Sequence, residues 1–314
     1  MLTKDKYALD PAAWCGLNRP EMPMEETDAV IFGIPFDGGA SYRAGAAQAP
    51  AMLRANTLQS TPCTERLEYY GTFNVADAGD FVLTMDDREE VFADIQAFVC
   101  GLVKAGKRFT MVGGDHSVTI PVERGIDDAL EEPFGIIHVD AHMDLCDALE
   151  GDRLSHGNTE RRALELKNVQ GFENLYFIGI RSIEPDEFEL YKNNPIQVKT
   201  AYDCYAEGIE AVAEDCIEKM SRYRKVYLTF DIDALDPAYA AGTGTPQFGG
   251  LTSRMALTLL NRLFEGLNII AFDVVEIAPP LDPSLAAMYA GRKLITEAWG
   301  HWARELGKLE GKQK

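Results

Sequence analysis

The chain has 314 residues, about twice the length of an average domain, although a single α/β domain also reaches this size. Its 50 acidic residues outnumber its 30 lysines and arginines, and the net charge of −20 argues against nucleic-acid binding, which depends on clustered basic side chains. Hydrophobic residues make up 46% of the composition and charged residues 25%, which is typical of a folded chain with a large core.

Short apolar runs alternate along the chain with segments of helical period. Val, Ile, Phe and Tyr dominate these runs with little polar alternation, as in strands covered on both faces. The predicted strands are 28–35, 108–114, 134–140, 175–180, 226–233 and 269–277. The predicted helices are 88–103, 207–222, 252–266 and 285–306. This alternation predicts an α/β fold, a three-layer α-β-α sandwich with a mostly parallel central sheet.

The chain shows no sign of a boundary between domains, because no linker, internal repeat or low-complexity tract interrupts the pattern. We predict a single domain over 1–314, with a core at about 28–306, a short N-terminal extension and a charged C-terminal tail. The cysteines include no CxxC pair, and no apolar run has the length of a signal peptide or a membrane span. We therefore expect a cytoplasmic protein with no membrane partner.

Three metal-capable residues follow the apolar run FGIIHVD. Asp140, His142 and Asp144 are spaced two apart, so in an extended chain their side chains point to one face. Because buried carboxylates without partners are costly and repel one another, packing does not explain this arrangement. We interpret the segment as part of a metal site. The alternative is a solvated acidic turn, which leaves the preceding apolar strand unexplained.

Two other strand ends contribute similar side chains. Asp231 and Asp233 end the run VYLTFDID, and His116 follows a Gly-Gly turn after the strand at 108–114. The carboxyl ends of parallel strands meet at one edge of the sheet, where ligands gather. Asp236 precedes a proline and is expected to start a turn instead of binding metal.

Three neighbouring residues are expected to have other roles. Asp115 orients a ligand or caps the helix that follows. His138 lies one step deeper in its strand, and we expect a hydrogen-bonded core histidine in preference to a ligand. Cys146 is interpreted as a small loop residue, because a soft thiolate does not suit an oxygen-rich site.

The candidate ligands therefore combine carboxylates with imidazoles. They are Asp140, Asp144, Asp231, Asp233, His116 and His142. Two divalent ions sharing bridging carboxylates balance this charge better than one ion does. The thiol-free set favours two Mn²⁺ per chain, although the affinity order also allows Co²⁺, Ni²⁺ or Zn²⁺. Two such ions activate water near neutral pH, which suits hydrolysis of an unreactive carbon.

With these motifs the chain resembles the ureohydrolase (arginase–agmatinase) family, and agmatinases most. The resemblance covers roughly residues 28–300, with the motifs in the family's order. They are GGDHS (113–117), DAHMD (140–144), SHG (155–157), DIDALDP (231–237), GTGTP (242–246) and DVVEIAPPLD (273–282). The resemblance implies an arginase-like sandwich and a homo-oligomer, either a trimer or a hexamer.

The resemblance also implies how the ligands are shared between the ions, with Asp140 and Asp231 as bridges. One set is His116, Asp140, Asp144 and Asp231, and the other is Asp140, His142, Asp231 and Asp233.

Further residues acquire roles by the same resemblance. Glu276 would grip the guanidinium group of the substrate, and His156 would transfer a proton or position the substrate. Asp144 would stabilise charge in the reaction and steer the proton. The alternatives are a satisfied buried acid for Glu276 and a surface-loop histidine for His156. The implied reaction is hydrolysis of a guanidino compound to urea and an amine.

The expected partner is a small cationic guanidino substrate. Arginases hold the amino-acid head of arginine partly through an aspartate that reads Ser182 here, so the resemblance argues against arginine. Agmatine, cleaved to putrescine and urea in polyamine metabolism, is the first expectation; guanidinobutyrate, guanidinopropionate and guanidine stay open. The acidic loop side chains Asp147, Glu150 and Asp152 either receive a cationic tail or, as we favour, face solvent.

Other classes fit the sequence less well. A phosphoesterase would need a basic or Gly-rich phosphate cradle beside the metals, and none is evident. A deacetylase of similar fold would typically need a single-metal site preceded by paired histidines. A non-catalytic metal-binding subunit would have no need of Glu276 and His156.

Overall fold

The computed structural model describes residues 2–311, which are organised around a nine-stranded sheet. The strands are β1 (Leu2–Thr3), β2 (Ala29–Gly33), β3 (Val75–Phe81), β4 (Arg108–Val112), β5 (Gly135–Val139), β6 (Leu175–Ile180), β7 (Gln197–Thr200), β8 (Val226–Asp231) and β9 (Ile269–Val275). Their order across the sheet is β1-β3-β2-β4-β9-β8-β5-β6-β7. Neighbouring strands are parallel except β1, which runs antiparallel to β3.

Helices cover both faces of the sheet. They are α1 (Ala13–Gly16), α2 (Ala49–Thr57), α3 (Arg88–Lys104), α4 (Thr119–Ala129), α5 (Thr159–Ala163), α6 (Pro185–Asn193), α7 (Ala201–Ala206), α8 (Ile209–Met220), α9 (Ser253–Gly266) and α10 (Ala286–Glu305). Helices α2, α8, α9 and α10 pack on one face, and α3, α4, α5 and α6 pack on the other. The predicted three-layer sandwich and mostly parallel sheet are confirmed. No helix within residues 2–311 is long and apolar enough to cross a membrane.

All six predicted strands and all four predicted helices are present, and the differences lie in the elements that the apolar pattern did not indicate. One of these elements is β3, whose sequence VADAGDF carries two aspartates yet is buried throughout. Arg54 of α2 neutralises both of them, with Nε 2.7 Å from Asp77 and Nη1 2.7 Å from Asp80. Because the aspartates of β3 are neutralised by a residue elsewhere in the chain, this buried strand has no apolar sequence pattern by which it could be predicted.

The two edges of the sheet are short. Strand β1 has two residues, and β7 has four residues that are all only half-buried. Beyond α10, Glu310 exchanges two backbone hydrogen bonds with Tyr69, so the described end of the chain is paired against the body of the protein.

Four adjacent central strands, β4, β9, β8 and β5, end at the edge where the candidate functional residues lie. The Gly-Gly turn after β4 is held between its neighbours, because Asp115 N–H donates to the carbonyl of Phe36 and Glu276 N–H donates to the carbonyl of Gly114. A Cβ atom at Gly114 would lie 1.7 Å from the Phe36 carbonyl oxygen. Glycine is therefore required for the backbone to pass close enough to make these bonds.

We expect Gly114→Ala to destabilise the protein by about 1–3 kcal/mol, because the new methyl group forces the two segments apart. Gly101→Ala is the matched control: it lies in α3, and a Cβ atom there meets nothing within 4 Å. The control should be neutral or stabilising by up to about 1 kcal/mol. Urea unfolding followed by circular dichroism measures both changes, and equal stabilities for the two variants would contradict the packing argument.

Candidate metal centre and active site

The predicted polar residues meet at the carboxyl ends of the central strands. His116 begins a short 3₁₀ turn after β4, Asp140 follows β5, and Asp231 is the last residue of β8. The Nδ1 atom of His116 lies 3.0 Å from Asp140 Oδ2 and 3.2 Å from Asp144 Oδ2. Asp231 Oδ2 lies 3.4 Å from the same nitrogen. One buried imidazole thus faces three carboxylates.

A second group adjoins the first. His142 Nδ1 lies 3.2 Å from Asp233 Oδ2 and 3.4 Å from Asp140 Oδ1. Asp140 takes part in both groups, so the two are contiguous. All six side chains predicted as metal ligands are therefore brought together.

Each of three carboxylates is anchored by one oxygen and presents the other. Asp140 Oδ1 accepts the N–H of His142 at 2.7 Å, and Asp231 Oδ1 accepts the N–H of Asp233 at 2.7 Å. Asp233 Oδ1 accepts the N–H of Ala141 at 3.2 Å, which joins the ends of β5 and β8. The Oδ2 atom of each then faces an imidazole of the cluster.

These bonds correct one expectation. The ligands spaced two apart were expected to converge because the chain stays extended, but the strands have ended or are turning at this point. Residues Ile232–Ala234 form a 3₁₀ turn, and Asp144 has a left-handed backbone with φ of 53°. The side chain of the first aspartate binds the backbone N–H two residues on, and this turn makes the side chains converge.

Strained backbone occurs at two residues of the site. Asp144 has φ of 53° and Glu276 has φ of 61°, a region that residues other than glycine seldom adopt. Such a conformation costs of order 1–3 kcal/mol and persists where the surrounding structure enforces it. At Glu276 the enforcing contact is its N–H bond to the carbonyl of Gly114, at 2.8 Å.

The cluster concentrates negative charge in the protein interior. Burial raises the pKa of Asp231 well above its usual range, and the charges of Asp233 and Asp140 raise it further. Burial opposes the charged form of His142, but the carboxylates of Asp233 and Asp140 outweigh it and raise the histidine's pKa to about 12. Neighbouring carboxylates contribute to both shifts, and this surplus of negative charge calls for positive charge.

The donor set fits metal ions. His116 Nδ1 is buried at the centre of the cluster and has no hydrogen-bond partner in the described residues. Two groups of ligand atoms are each close enough together to hold one ion. The first comprises His116, His138, Asp140 and Asp144, and the second comprises Asp140, His142 and Asp233. Imidazole and carboxylate ligands without thiolate suit Mn²⁺ and its neighbours.

His138 is a buried, hydrogen-bonded histidine, as predicted. Its Nδ1 lies 2.9 Å from Glu160 Oε1, and its Nε2 lies 3.2 Å from the carbonyl oxygen of His142. Although His138 is close enough to the first group to count as a possible ligand, both of its ring nitrogens already have protein partners.

The other interpretations of nearby residues are also confirmed. Asp236 accepts backbone N–H groups of its own turn, including that of Ala238 at 2.9 Å. Asp115 caps the 3₁₀ turn by accepting the N–H of Ser117 at 2.9 Å, and it also accepts the N–H of Gly39. Cys146 is a buried loop residue whose thiol lies 3.7 Å from Asp186.

A second polar chain lies beside the cluster. Glu276 Oε1 lies 2.9 Å from His156 Nδ1 and accepts the N–H of His116 at 3.0 Å. On the other side of the ring, His156 Nε2 lies 2.8 Å from Ser41 Oγ. Burial lowers the affinity of His156 for a proton, but the Glu276 carboxylate outweighs it and raises the pKa of His156 to about 9.

A cavity of about 200 Å³ opens onto these groups. Its wall includes His116, His142, Asp144, Asp231 and His156 together with residues that the sequence motifs did not indicate. The latter include Ser41, Glu184, Glu187 and Gln247, and the wall also includes Ser182 and, from the GTGTP motif, Thr245. Ser41 could have been suspected, since it lies in the loop after β2, a predicted strand that ends at the same edge. Glu184 and Glu187 lie around the start of α6, a helix that was not predicted.

The acidic loop beside the cavity is neutralised by arginines. Asp152 pairs with Arg88 at 2.7 Å, and Asp147 pairs with Arg153 and Arg162 at 2.7 Å each. Ion pairs thus hold Asp147 and Asp152, and Glu150 is exposed, which supports the favoured expectation that these acids do not bind a substrate tail.

Comparison with known proteins places the chain among enzymes. The model of the arginase family matches residues 27–300. Proclavaminate amidinohydrolase of Streptomyces clavuligerus is 35% identical over 276 residues, which cover 85% of this chain and 87% of that one. Its solved structure superimposes with a TM-score of 0.84 at 31% identity, covering 96% and 99% of the two chains.

Two further relatives act on different compounds by name. Agmatinase of Bacillus subtilis is 35% identical over 282 residues, or 89% of this chain and 93% of that one. Guanidinobutyrase of Pseudomonas aeruginosa is 32% identical over 278 residues, or 87% and 86% of the two chains. The predicted family is confirmed, and the similarity does not separate one guanidino substrate from another.

We expect Asp231→Asn to weaken binding of Mn²⁺ by more than about tenfold, because an amide is uncharged and turns an N–H toward His116. Asp236→Asn is the matched control, since it makes the same change in a turn five residues on that does not touch the cluster. Bound metal is measured by titration calorimetry on the chelator-treated protein. Equal metal affinity in both variants would exclude Asp231 as a ligand.

Proposed function

Because this chain belongs to the arginase family, we propose that it is a hydrolase that cleaves a small cationic guanidino compound, agmatine before others, to urea and an amine. The assignment of agmatine as the substrate rests on the residues that line the cavity. They include the exposed carboxylate of Glu184 beyond the metal cluster, whereas both oxygens of Glu187 accept backbone N–H groups. The lining within residues 2–311 includes no lysine or arginine. An amine tail suits such a wall better than a carboxylate tail does.

We propose that the cluster holds two divalent ions, Mn²⁺ before others, with the ligands His116, Asp140, His142, Asp144, Asp231 and Asp233. When bound, such a pair of ions supplies activation of water near neutral pH and stabilises negative charge that develops in the reaction. The unpartnered Nδ1 atom of His116 at the centre of the cluster supports this proposal.

Glu276 is proposed to bind the guanidinium group. One of its oxygens, Oε1, is already occupied by His156 and by the N–H of His116, so Oε2 faces the space next to Gly244. A Cβ atom at Gly244 would lie 3.5 Å from Oε2. A Cβ atom at this distance would be in ordinary van der Waals contact with Oε2, and Oε2 is the oxygen left to accept N–H bonds from a guanidinium.

His156 is proposed to deliver the proton that the leaving amine needs. In its neutral form Nδ1–H donates to Glu276 and Nε2 accepts the N–H of Ser41, at 3.2 Å. In its charged form Nε2–H can donate to the Ser41 hydroxyl, at 2.8 Å. The imidazole therefore has hydrogen-bond partners in both protonation states without rotating, which suits a residue that gives up a proton and regains it.

The arginines near the cavity support an amine tail, because each is committed elsewhere. Arg181 donates to backbone carbonyls, among them those of Asp233 at 2.7 Å and Gln247 at 2.8 Å. Arg43 donates to the carbonyls of residues 243 and 244, and Arg153 pairs with Asp147 and Glu165. In contrast, Glu184 forms no ion pair within residues 2–311 and is exposed at the cavity.

A guanidino acid such as guanidinobutyrate is the second candidate. Neutral donors line the cavity, namely the side chains of Ser41, Ser182, Thr245 and Gln247, and these can bind a carboxylate without a cation. The identity to guanidinobutyrase, at 32%, is close to that to agmatinase, at 35%.

The test is urea release by the Mn²⁺-loaded protein from agmatine, arginine, guanidinobutyrate, guanidinopropionate and guanidine. We expect kcat/KM to be highest for agmatine. A higher value for either carboxylate-bearing compound would contradict the assignment of the tail, and urea from none of the compounds, with metal bound, would contradict the proposed activity.

The same panel tests the contribution of Glu184. Glu184→Gln should raise KM for agmatine by about fivefold, since a partly exposed charge pair contributes up to about 1 kcal/mol, and should leave kcat nearly unchanged. Guanidine, which has no tail, should be unaffected. Glu189→Gln is the matched control on the same helix, because Glu189 lies outside the cavity. An unchanged KM for agmatine in Glu184→Gln would exclude contact between this carboxylate and the tail.

A further inference from the structure

Beneath the metal cluster, His138 links Asp140 to a buried glutamate, Glu160, that lies outside the cavity wall. We propose that Glu160 is a positioning residue that orients His138, and that His138 in turn fixes the carboxylate of Asp140 for metal binding. The inference rests on the proposed function only in taking Asp140 as a metal ligand, and it is independent of the substrate.

The contacts form a continuous chain inside the protein. Glu160 Oε1 lies 2.9 Å from His138 Nδ1, and His138 Nε2 lies 3.1 Å from Asp140 Oδ2. Glu160 and His138 are both fully buried. Asp140 is the residue shared by the two groups of candidate ligands, so a displacement of its carboxylate affects both.

The direction of the hydrogen bonds is set by the atoms that surround the His138 ring. Nε2 faces the carboxylate of Asp140 and the carbonyl oxygen of His142, which can only accept, so Nε2 must carry a hydrogen. Glu160 holds the ring at Nδ1, so the ring cannot rotate and carry Nε2 away from Asp140.

The ring is also held by stacking. The imidazoles of His138 and His116 are parallel within 2°, with centroids 5.0 Å apart, and Phe177 packs edge-on at 5.3 Å. A change in the orientation of the His138 ring would therefore also displace the ring of His116, a second candidate ligand. The chain from Glu160 thus supports the metal cluster through two of its members.

A neighbouring buried glutamate serves as the control in the test of this proposal. Glu123 of α4 is equally buried, but neither of its carboxyl oxygens has a hydrogen-bond partner within residues 2–311. Burial, reinforced by the charge of Glu160, raises the pKa of Glu123 well above its usual range. Glu123 shares the buried surroundings of Glu160 without the link to His138.

The experiment measures the affinity of the chelator-treated full chain for Mn²⁺ by titration calorimetry, without substrate. We expect Glu160→Leu to weaken Mn²⁺ binding by about 10–100-fold, the loss typical when a hydrogen-bond partner of a metal-site histidine is removed. Glu160→Gln should stay within about threefold of the natural protein, because its amide can donate to Nδ1 and preserve Nε2–H. Glu123→Leu should also leave the affinity unchanged.

Two results would overturn the proposal. One is normal Mn²⁺ affinity in Glu160→Leu, which would make Glu160 a packing residue. The other is an equal loss in Glu160→Gln, which would mean that hydrogen-bonded orientation is not its role. Absence of urea release with normal metal affinity in the natural protein would contradict the proposed function and leave this inference intact.

A second variant covers the case in which Glu160→Leu fails to fold, as judged by circular dichroism. His138→Phe keeps an aromatic ring between His116 and Phe177 but removes the donor to Asp140. It should weaken Mn²⁺ binding as much as Glu160→Leu, and the double variant should be no weaker than either single variant. Normal affinity in His138→Phe, or additive losses in the double variant, would overturn the proposed chain.

Discussion

Repulsion between carboxylates crowded into the interior is the constraint on which the rest of this site depends. A buried acid is costly, and several at one point are costlier still. The protein anchors one oxygen of Asp140, Asp231 and Asp233 with a backbone N–H and turns the other toward the cluster. The backbone thus supplies part of the positive potential, and the remainder is the charge that metal ions would bring. The raised pKa of Asp231 expresses the same imbalance.

The topology explains why the anchors hold. Strands β4, β9, β8 and β5 are neighbours in the sheet although they lie far apart in the chain, so segments from both halves of the sequence end side by side. The candidate metal ligands lie at the ends of the strands or in the tight turns that follow them, whereas Ser41 lies in a loop and His156 begins a 3₁₀ turn at the cavity wall. Chemistry that needs fixed charges is therefore placed at the strand ends, and chemistry that needs exchange with solvent is placed at the cavity wall.

The candidate ligands could be predicted from the sequence because each directly follows or ends an apolar strand, where an unpaired acid stands out against its surroundings. Strand β3 could not, since Asp77 is acceptable in the core only once Arg54 has folded against it. Glu160 was missed for the same reason, because its role depends on contact with His138, which lies 22 residues away in the chain. The turns that make Asp140 and Asp231 converge were also missed, because side-chain bonds to the backbone override the extended conformation that the alternating spacing suggested.

The short edges of the sheet have a consequence for how the protein behaves in solution. An exposed, regular edge strand is a template on which another chain can add a strand and begin to aggregate. Here β1 pairs with the last two residues of β3, which is buried throughout, and the other edge strand, β7, is four residues long and carries Lys199. Neither edge offers the long run of free backbone donors and acceptors that a growing stack of strands requires. The apolar β-strands at the centre of this protein, which would be hazardous if exposed, are kept several strands away from either boundary.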